Sequence, residues 1–310
     1  MKIVVFGGTD FTLEMLSTLK EIGYLPASVI YIGEKYKIST SDTPMINSRY
    51  ADIAGWCATN DIPSLEYKDT DHLESFLKKE KADFALLAGW YFMLPERIRT
   101  HFPKGCAGLH ASLLPKYRGN APLNWALIKG EGETGVSMFE ITKGIDAGLL
   151  YAQESFLIDQ KDTILDLITK SIEASKAILK RTLPAIDADI LELREQNGTP
   201  SYCLQRTPED SLIQWTDSAF SIDRLIRATA KPYSGAFTFL KGQKITVWKA
   251  EPANIEISGI PGQIAKMPDY QNPLIVTGEG CLEIIECTDD DEKCVSSLLL
   301  NNTHRKLASS

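Results

Sequence analysis

The chain has 310 residues, of which 44% are hydrophobic and 24% are charged, and its formal net charge is −8. This length suits two domains, and the composition is that of an ordinary globular protein with a sizeable buried core. An acidic chain has no overall attraction to nucleic acid, although a local basic groove would still bind a polyanion. No stretch approaches the roughly 18 apolar residues of a membrane span, so we expect a cytoplasmic protein that makes no membrane contact.

The first 110 residues alternate short β-branched runs with amphipathic stretches, a pattern typical of a parallel sheet. Continuous apolar strands of this kind are buried on both faces, and ligands bind beyond their carboxyl ends. Those ends are Gly7-Gly8-Thr9, residues 88–91 and residues 110–112. The predicted strands are 2–7, 27–33, 82–88 and 106–110, and the helical stretches are 10–22, 48–60, 70–80 and 95–101.

After residue 110 the pattern changes to one helix, two strands and a second, longer helix. Asn120 is the expected N-cap of the first helix, with Pro122 in its first turn and Gly130 at its end. The strands are expected at 136–141 and 149–152, with a turn over 142–148 between them. The long helix is expected over 163–183, opened by a capping box at Thr163 and ended by Pro184.

Residues 185–206 are polar and contain Asn-Gly-Thr-Pro turn chemistry, so we place the domain boundary there. The remaining chain predicts one helix over about 218–229 and a group of short strands. The sequence therefore predicts an α/β protein: an open, mostly parallel, Rossmann-like sheet in residues 1–204 and a second, smaller, β-rich, OB-like domain in residues 205–310. The strands of that second domain are expected at 235–240, 244–250, 262–266, 273–277 and 281–286.

The six cysteines are scattered, without a C-x-x-C pair or a histidine at metal-ligand spacing. Cys281, Cys287 and Cys294 are the closest group, and reduced thiols explain them better than a zinc site. We expect no metal and no disulfide.

Two residues are candidates for chemistry, although position alone leaves a structural role open for both. His110 closes a buried strand and opens a loop, and a histidine there can exchange protons near neutral pH. Asp146 lies in a glycine-flanked turn, where an aspartate is ordinarily a turn residue. Other familiar signatures are missing: Gly7-Gly8-Thr9 lacks the G-x-G-x-x-G spacing, and no G-x-S-x-G elbow occurs.

Two long segments add a resemblance to these patterns. Residues 109–153 read LHASLLPKYRGNAPLNWALIKGEGETGVSMFEITKGIDAGLLYAQ, with H-x-S-L-L-P, R-G, E-T-G-V and G-x-D-x-G in order. This segment resembles the core of the folate-dependent formyltransferase family. Residues 213–251 contain IQW, SIDRLIRA and KPYSGAFTFLKGQKITVWKAE, which are similar to the C-terminal domain that some members carry.

The resemblance implies a site and a formyl donor, N10-formyltetrahydrofolate. The family's catalytic residues are an Asn-x-His and an Asp, which fall on His110 and Asp146, but the asparagine position holds Gly108. A glycine there suggests a positive φ or a close backbone approach, and a nearby side chain, the backbone N–H or water would have to replace the amide donor. The implied folate-binding residues are Trp90, Tyr91, Phe92, Met93, Leu94, Ser112, Leu114, Gly144 and Asp146.

Two segments, residues 33–42 and residues 112–127, suggest which amine accepts the formyl group. Residues 33–42 carry no basic R-G-R-G-like cluster of the kind expected in the tRNA enzymes. Residues 112–127 are most similar to the sugar-nucleotide enzymes. We therefore expect formyl transfer to the amine of a nucleotide-linked deoxyamino sugar, with folate and the amino-sugar nucleotide as partners and a homodimer as one assembly to test. The alternatives are a methionyl-tRNA formyltransferase, with tRNA the less favoured partner, and a non-catalytic binding relative.

Overall fold

The computed structural model describes residues 1–36, 45–47 and 49–308, which form two compact units. The first unit comprises residues 1–119, 134–156 and 169–202, and the second comprises 120–133, 157–168 and 203–310. The domain division at residue 204 stays a prediction. Within the described ranges, no helix has the length and apolar character needed to cross a bilayer.

The central feature of the first unit is a seven-stranded sheet in the order β10-β9-β7-β6-β1-β2-β5. Strands β1, β2, β5, β6 and β7 pair in parallel, and β9 pairs antiparallel to β7. The mostly parallel sheet is therefore confirmed. In chain order the strands to this point are β1 Ile3–Gly7, β2 Ser28–Tyr31, β3 Lys35–Tyr36, β4 Met45–Ile46, β5 Ser64–Glu66, β6 Phe84–Leu87, β7 Cys106–His110, β8 Arg118–Gly119, β9 Glu133–Glu140, β10 Leu150–Leu157 and β11 Tyr202–Cys203.

The sheet has a hydrophobic core on each of its faces. Every residue of β1 and β6 is buried, as continuous apolar runs predict. Alternate residues point to opposite faces, so Val5 packs in one core cluster while Val4 and Phe6 pack in the other. Since the five parallel strands run the same way, their carboxyl ends meet at one edge of the sheet.

The described residues contain eight helices, seven of which lie near predicted positions, whereas α8 Ser296–Leu300 was not predicted. Thr9 caps the first helix by accepting a hydrogen bond from Thr12 N, and Asp69 caps the third by accepting one from His72 N. Two of the helices begin or end at residues other than the predicted ones. In chain order they are α1 Asp10–Glu21, α2 Ile53–Thr59, α3 Thr70–Glu80, α4 Glu96–Arg99, α5 Pro122–Lys129, α6 Ile164–Asp187, α7 Ala219–Thr229 and α8 Ser296–Leu300.

Two predictions about helix ends were wrong. The N-cap of α5 is Ala121, in the left-handed region at φ 51, and not Asn120, because the chain turns one residue later than the Asn-Ala-Pro pattern suggests. Pro184 lies inside α6 and does not end it. A proline inside a helix removes one N–H hydrogen bond and crowds the carbonyl four residues before it. The helix nevertheless continues, because the apolar stripe of α6 extends into the core through Ile186.

The second unit contains an antiparallel sheet in the order β12-β13-β16-β15-β14, which confirms a β-rich C-terminal region. Helix α7 and the sheet share a core that includes Trp215, Ile222 and Ile226. Helix α5 lies beside α7, and Asn124 Nδ2 donates to Ala228 O at 2.8 Å. The strands are β12 Ala236–Leu240, β13 Gln243–Ala253, β14 Ile264–Ala265, β15 Leu274–Val276 and β16 Cys281–Thr288.

Candidate functional site

His110 is the last residue of β7 and lies at the carboxyl edge of the parallel strands. Its side chain is 10% exposed, and Nε2 lies 2.7 Å from the carbonyl oxygen of Tyr117. A carbonyl can only accept, so Nε2 carries a proton. The ring plane is also set by Phe139, whose ring meets the imidazole edge to face at a centroid distance of 6.3 Å.

Asp146 lies in the turn between β9 and β10 and faces the other nitrogen of the same ring. Its Oδ2 lies 3.5 Å from His110 Nδ1 and accepts a 2.7 Å hydrogen bond from Gly119 N. The backbone of Asp146 is left-handed, with φ 46, and its side chain is 20% exposed. The two residues that the sequence singled out, 36 positions apart, are therefore neighbours in the folded chain.

The two acceptors around the ring determine what the pair can do chemically. With Tyr117 O on one side and the Asp146 carboxylate on the other, an imidazolium with protons on both nitrogens satisfies both contacts. The Nδ1 contact is longer than a normal hydrogen bond, so the Nδ1 proton has room to be shared with a third group. The arrangement suits stabilisation of a developing negative charge beside a carboxylate that can accept a proton.

Position 108 is filled by apolar packing. A Cβ built on Gly108 would lie 2.7 Å from Ile141 Cδ1 and 3.0 Å from Phe139 Cε1. Residues 108 and 110 point to the same face of β7, so an asparagine at 108 would stand beside His110. Gly108 does not have a positive φ, and close approach is the reason for glycine. A replacement by its backbone N–H is disfavoured, because Gly108 is registered between Leu87 and Phe139 inside the sheet.

The loop after β6 packs with Tyr36 of β3 and with Tyr67, which follows β5. We define the aromatic cluster as Tyr36, Tyr67, Trp90, Tyr91 and Phe92. Trp90 packs edge to face on Tyr67 at 5.1 Å, and Tyr91 stacks on Tyr36 at 5.3 Å. Burial raises the pKa of the Tyr36 hydroxyl, which favours its neutral form. Within the described part of the chain, Trp90 Nε1 is buried and has no hydrogen-bond partner.

The other expected folate-binding residues divide into buried and exposed ones. Leu94 and Leu114 are each 3% exposed, and Ser112 is fully buried, so these three hold the loops in place. Met93 is 59% exposed, and Gly144 lies in an exposed part of the turn that carries Asp146. The structure thus brings His110 and Asp146 together directly. The aromatic cluster follows the carboxyl end of β6, whereas the turn that carries Asp146 leaves the end of β9, which pairs with the start of β7.

Four residues around the pair were not predicted from the sequence. Tyr117 and Gly119 contribute backbone groups, and the R-G motif is the only sequence signal for them. Gln196 Nε2 donates to the carbonyls of Asp146 and Gly148, both at 2.8 Å. Its Oε1 accepts from Arg118 Nη2 at 2.6 Å. Gln196 lies in the polar stretch 185–206, where no pattern distinguishes it.

No metal centre accompanies the site in the residues that the structure describes. Those residues contain no group of three or more His, Cys, Asp or Glu side chains able to hold a metal ion. His110 and Asp146 can themselves supply acid–base and electrostatic chemistry.

Solved structures with a similar fold include three relatives of low sequence identity. An N-formyltransferase from Helicobacter canadensis, solved with folinic acid and dTDP-3-aminofucose, is 18% identical, with 92% of this chain and 98% of that chain covered and a TM-score of 0.66. Methionyl-tRNA formyltransferase from Clostridium thermocellum is 16% identical, with coverages of 83% and 95% and a TM-score of 0.55. HypX from Aquifex aeolicus is 16% identical, with a TM-score of 0.64. The alignment covers 98% of this chain but 48% of HypX, so this chain spans about half the HypX length.

Family models match most of the chain. The formyl transferase model matches residues 1–183, and a model of the formyl transferase C-terminal domain matches residues 206–305. The first match contains β1 to β10 with both His110 and Asp146, and the second contains the antiparallel sheet. The chain belongs to the formyl transferase family.

Proposed function

We propose that the protein transfers the formyl group of N10-formyltetrahydrofolate to the amino group of a nucleotide-linked deoxyamino sugar, with His110 and Asp146 as its catalytic residues. The observation that carries this proposal is the pairing of His110 Nδ1 with Asp146 Oδ2 at 3.5 Å at the strand ends. The pairing also argues against a non-catalytic binding relative, since binding alone does not need it.

In the proposed reaction the acceptor amine attacks the formyl carbon, and a new C–N bond forms while the carbonyl electron pair moves to oxygen. Asp146 takes one proton from the attacking amine, directly or through water. The tetrahedral intermediate then collapses, the carbon–N10 bond breaks, and N10 receives a proton. The products are tetrahydrofolate and the N-formyl sugar nucleotide, so atoms and charge balance without an oxidant or a metal.

His110 would stabilise the negative charge on the formyl oxygen. Tyr117 O anchors the ring through Nε2, which leaves the Nδ1 proton, loosely held by Asp146, to be shared with the oxyanion. Because apolar side chains occupy the space beside Gly108, stabilisation of this negative charge depends mainly on His110.

The donor and acceptor assignments rest on different observations. The aromatic cluster around Trp90 suits a flat heteroaromatic ligand such as a pterin, which can pack against its rings. For the acceptor, the Helicobacter relative was solved with an amino-sugar nucleotide, and the net charge of −8 does not favour a polyanion such as tRNA. Residues 37–42 of the loop used in that argument lie outside the described residues, whereas Gly33 and Tyr36 lie within them.

The proposed reaction is tested by incubating the protein with N10-formyltetrahydrofolate and a panel of amino-sugar nucleotides, with initiator Met-tRNA as a further acceptor. A mass gain of one carbonyl group on a sugar nucleotide is the expected result. Efficient formylation of Met-tRNA alone would overturn the sugar assignment, and a protein that formylates neither acceptor would overturn the proposed reaction.

The catalytic assignment is tested by His110→Ala and Asp146→Asn, each of which we expect to lower kcat by about 100-fold or more. Matched controls are His72→Ala, on the exposed face of α3, and Asp61→Asn, another exposed aspartate in the left-handed region at φ 55. The controls should keep wild-type kcat. Near wild-type kcat in His110→Ala or Asp146→Asn would remove that residue from the mechanism.

A further inference from the structure

The turn that carries Asp146 has little backbone support of its own. It is closed at its base by Glu140 N, which donates to Leu149 O at 2.8 Å. Ile145 and Asp146 form a single tight turn, and positions 142–148 make no backbone–backbone hydrogen bond to other described parts of the chain. Lys143, Gly144 and Ile145 are exposed, and Asp146 holds a left-handed conformation that costs free energy in a residue other than glycine. Something outside the turn must therefore hold Asp146 in place.

The side chain of Gln196 supplies that support, reaching Asp146 from 50 positions away along the chain. Its Nε2 donates one hydrogen bond to Asp146 O and one to Gly148 O, both at 2.8 Å. Its Oε1 accepts from Arg118 Nε at 3.2 Å and from Arg118 Nη2 at 2.6 Å. The amide has one consistent orientation, since turning it over would place its oxygen against two carbonyls and its amino group against a guanidinium.

The support closes a ring of contacts around Asp146. Arg118 precedes Gly119, and Gly119 N donates to Asp146 Oδ2 at 2.7 Å, so the same short strand holds both Gln196 and the carboxylate. Gln196 is itself anchored, because Arg194 and Leu150 exchange two backbone hydrogen bonds of 2.7 and 3.0 Å. The backbone of Asp146 is fixed by Gln196, and its carboxylate is fixed by Gly119.

We propose that Gln196, oriented by Arg118, is a positioning residue that holds Asp146 at the distance and angle needed to accept the proton of the attacking amine. This inference rests on the proposed function for its catalytic meaning. Its geometric part concerns the free protein and is tested separately. Gln196 does not contact the reacting atoms in this scheme, so its loss should impair the chemical step and leave donor binding unchanged.

The decisive variant is Gln196→Glu, which keeps the shape of the side chain and the acceptor for Arg118 but lacks both N–H donors. We expect kcat to fall by about tenfold or more, with the KM for the formyl donor changed by less than about twofold. Gln243→Glu, an exposed glutamine at the start of β13, is the matched control and should keep wild-type values. Gln196→Met, of similar length without polar groups, gives a second variant if the glutamate variant does not fold.

A second measurement distinguishes failure of the Gln196 proposal from failure of the proposed function. In protein labelled with ¹⁵N-glycine, the Gly119 amide proton should resonate downfield, because it donates a short bond to a carboxylate. Gln196→Glu should move that resonance upfield, whichever acceptor the enzyme uses and even if no acceptor is found. An unchanged Gly119 resonance, or a raised KM with an unchanged kcat, would overturn the proposal.

Discussion

Phe139 and Ile141 determine what position 108 can hold, and they leave no volume for a side chain. The nearest atoms to an added Cβ are carbons of these two residues, at 2.7 to 3.3 Å. Phe139 packs with Leu114 and Leu150 in a small cluster of its own, and Ile141 joins that cluster to the core beneath the aromatic loop. The apolar filling beside His110 is therefore part of the core and is not an empty amide site.

We predict that Gly108→Asn lowers stability and does not raise the rate of formyl transfer. Overpacking of this kind costs about 1–3 kcal/mol, because Phe139 and Ile141 must shift. Thermal unfolding and single-turnover rates measure the two effects. Gly108→Ala is the control for volume, since it adds the same Cβ without an amide.

The double variant Gly108→Asn with Ile141→Ala separates volume from chemistry, because it removes the closest carbon and makes room for the amide. A tenfold or greater gain in single-turnover rate over Ile141→Ala alone would show that the enzyme simply lacks a donor. We expect no such gain, because His110 already carries the charge in the proposed mechanism.

Trp90 offers a test of where the donor binds. Trp90→Phe keeps an aromatic ring in the cluster and removes a buried N–H that has no partner in the described residues. If the pterin binds against the indole and the ring turns so that this N–H reaches it, the variant should lose about 1 kcal/mol of binding free energy for a folate analogue, or about fivefold in Kd. Tyr67→Phe, which keeps the ring that packs on Trp90, is the control. Unchanged folate affinity in Trp90→Phe, measured by calorimetry, would place the pterin elsewhere.

The sequence identified His110 and Asp146 as candidates, but it did not identify the groups that orient them. A histidine at a strand end and an aspartate in a glycine-flanked turn have recognisable local patterns. The contacts of Asp146 with Gly119 and Gln196 span 27 and 50 positions, and no local pattern encodes them. The residue that fits at position 108 also depends on Phe139 and Ile141, which come close to it only in the folded chain.

At the scale of elements, β9 holds the loop that follows His110. Ser137, fully buried in β9, donates to Ser112 O at 2.6 Å and accepts from Leu114 N at 3.0 Å. Gln153 on β10 donates to Ser137 Oγ and to Leu114 O, both at 2.9 Å. One hydroxyl thus joins two strands to the loop that starts at His110.

We predict that Ser137→Ala destabilises the protein and loosens this loop. The change leaves a buried N–H and a buried carbonyl without their partner, and each such group costs about 1–3 kcal/mol. Since two groups lose their partner, chemical denaturation should show a loss of about 2–6 kcal/mol. Ser155→Ala, at an exposed position of the neighbouring β10, should unfold like the wild type. Equal stability of the two variants would mean that Ser137 does not organise the loop.

The type of element was easier to predict than its limits. The apolar runs of β1 and β6 are buried throughout, so their composition is sufficient to predict two buried strands. Strand β5 was not predicted, because Ser64–Glu66 has only three residues, two of them exposed. Pro184 was taken as a helix end, since a sequence pattern cannot tell that the packing of α6 compensates for one missing hydrogen bond.

At the scale of the whole molecule, the alternation of strand and helix patterns up to residue 110 was sufficient to predict the parallel sheet. The antiparallel sheet of the second unit followed from its short strands and turns. The pattern could not predict that residues 120–133 belong to the second unit, because that assignment depends on the packing of α5 beside α7.

The thiols give a test that samples both units at once. All six cysteines are free, and Cys294 is exposed while the other five are buried. Burial raises the pKa of Cys57 and Cys203 to about 11 and that of Cys106 to about 12, so these thiols are neutral near physiological pH. Hydrogen bonds from Ser296 hold the pKa of the Cys294 thiol below its ordinary value, which favours the reactive thiolate.

We therefore predict that an aromatic disulfide reagent modifies one thiol in the native protein at neutral pH and all six after denaturation. The fast reaction should belong to Cys294, since it is the exposed cysteine and its lowered pKa favours the thiolate. Cys294→Ser should abolish the fast phase and leave five thiols that react only as the chain unfolds. Their rate should then follow unfolding and slow down when folate binds the native state. Rapid modification of a second thiol in the native protein would show that the structure around that thiol opens more readily than its burial implies.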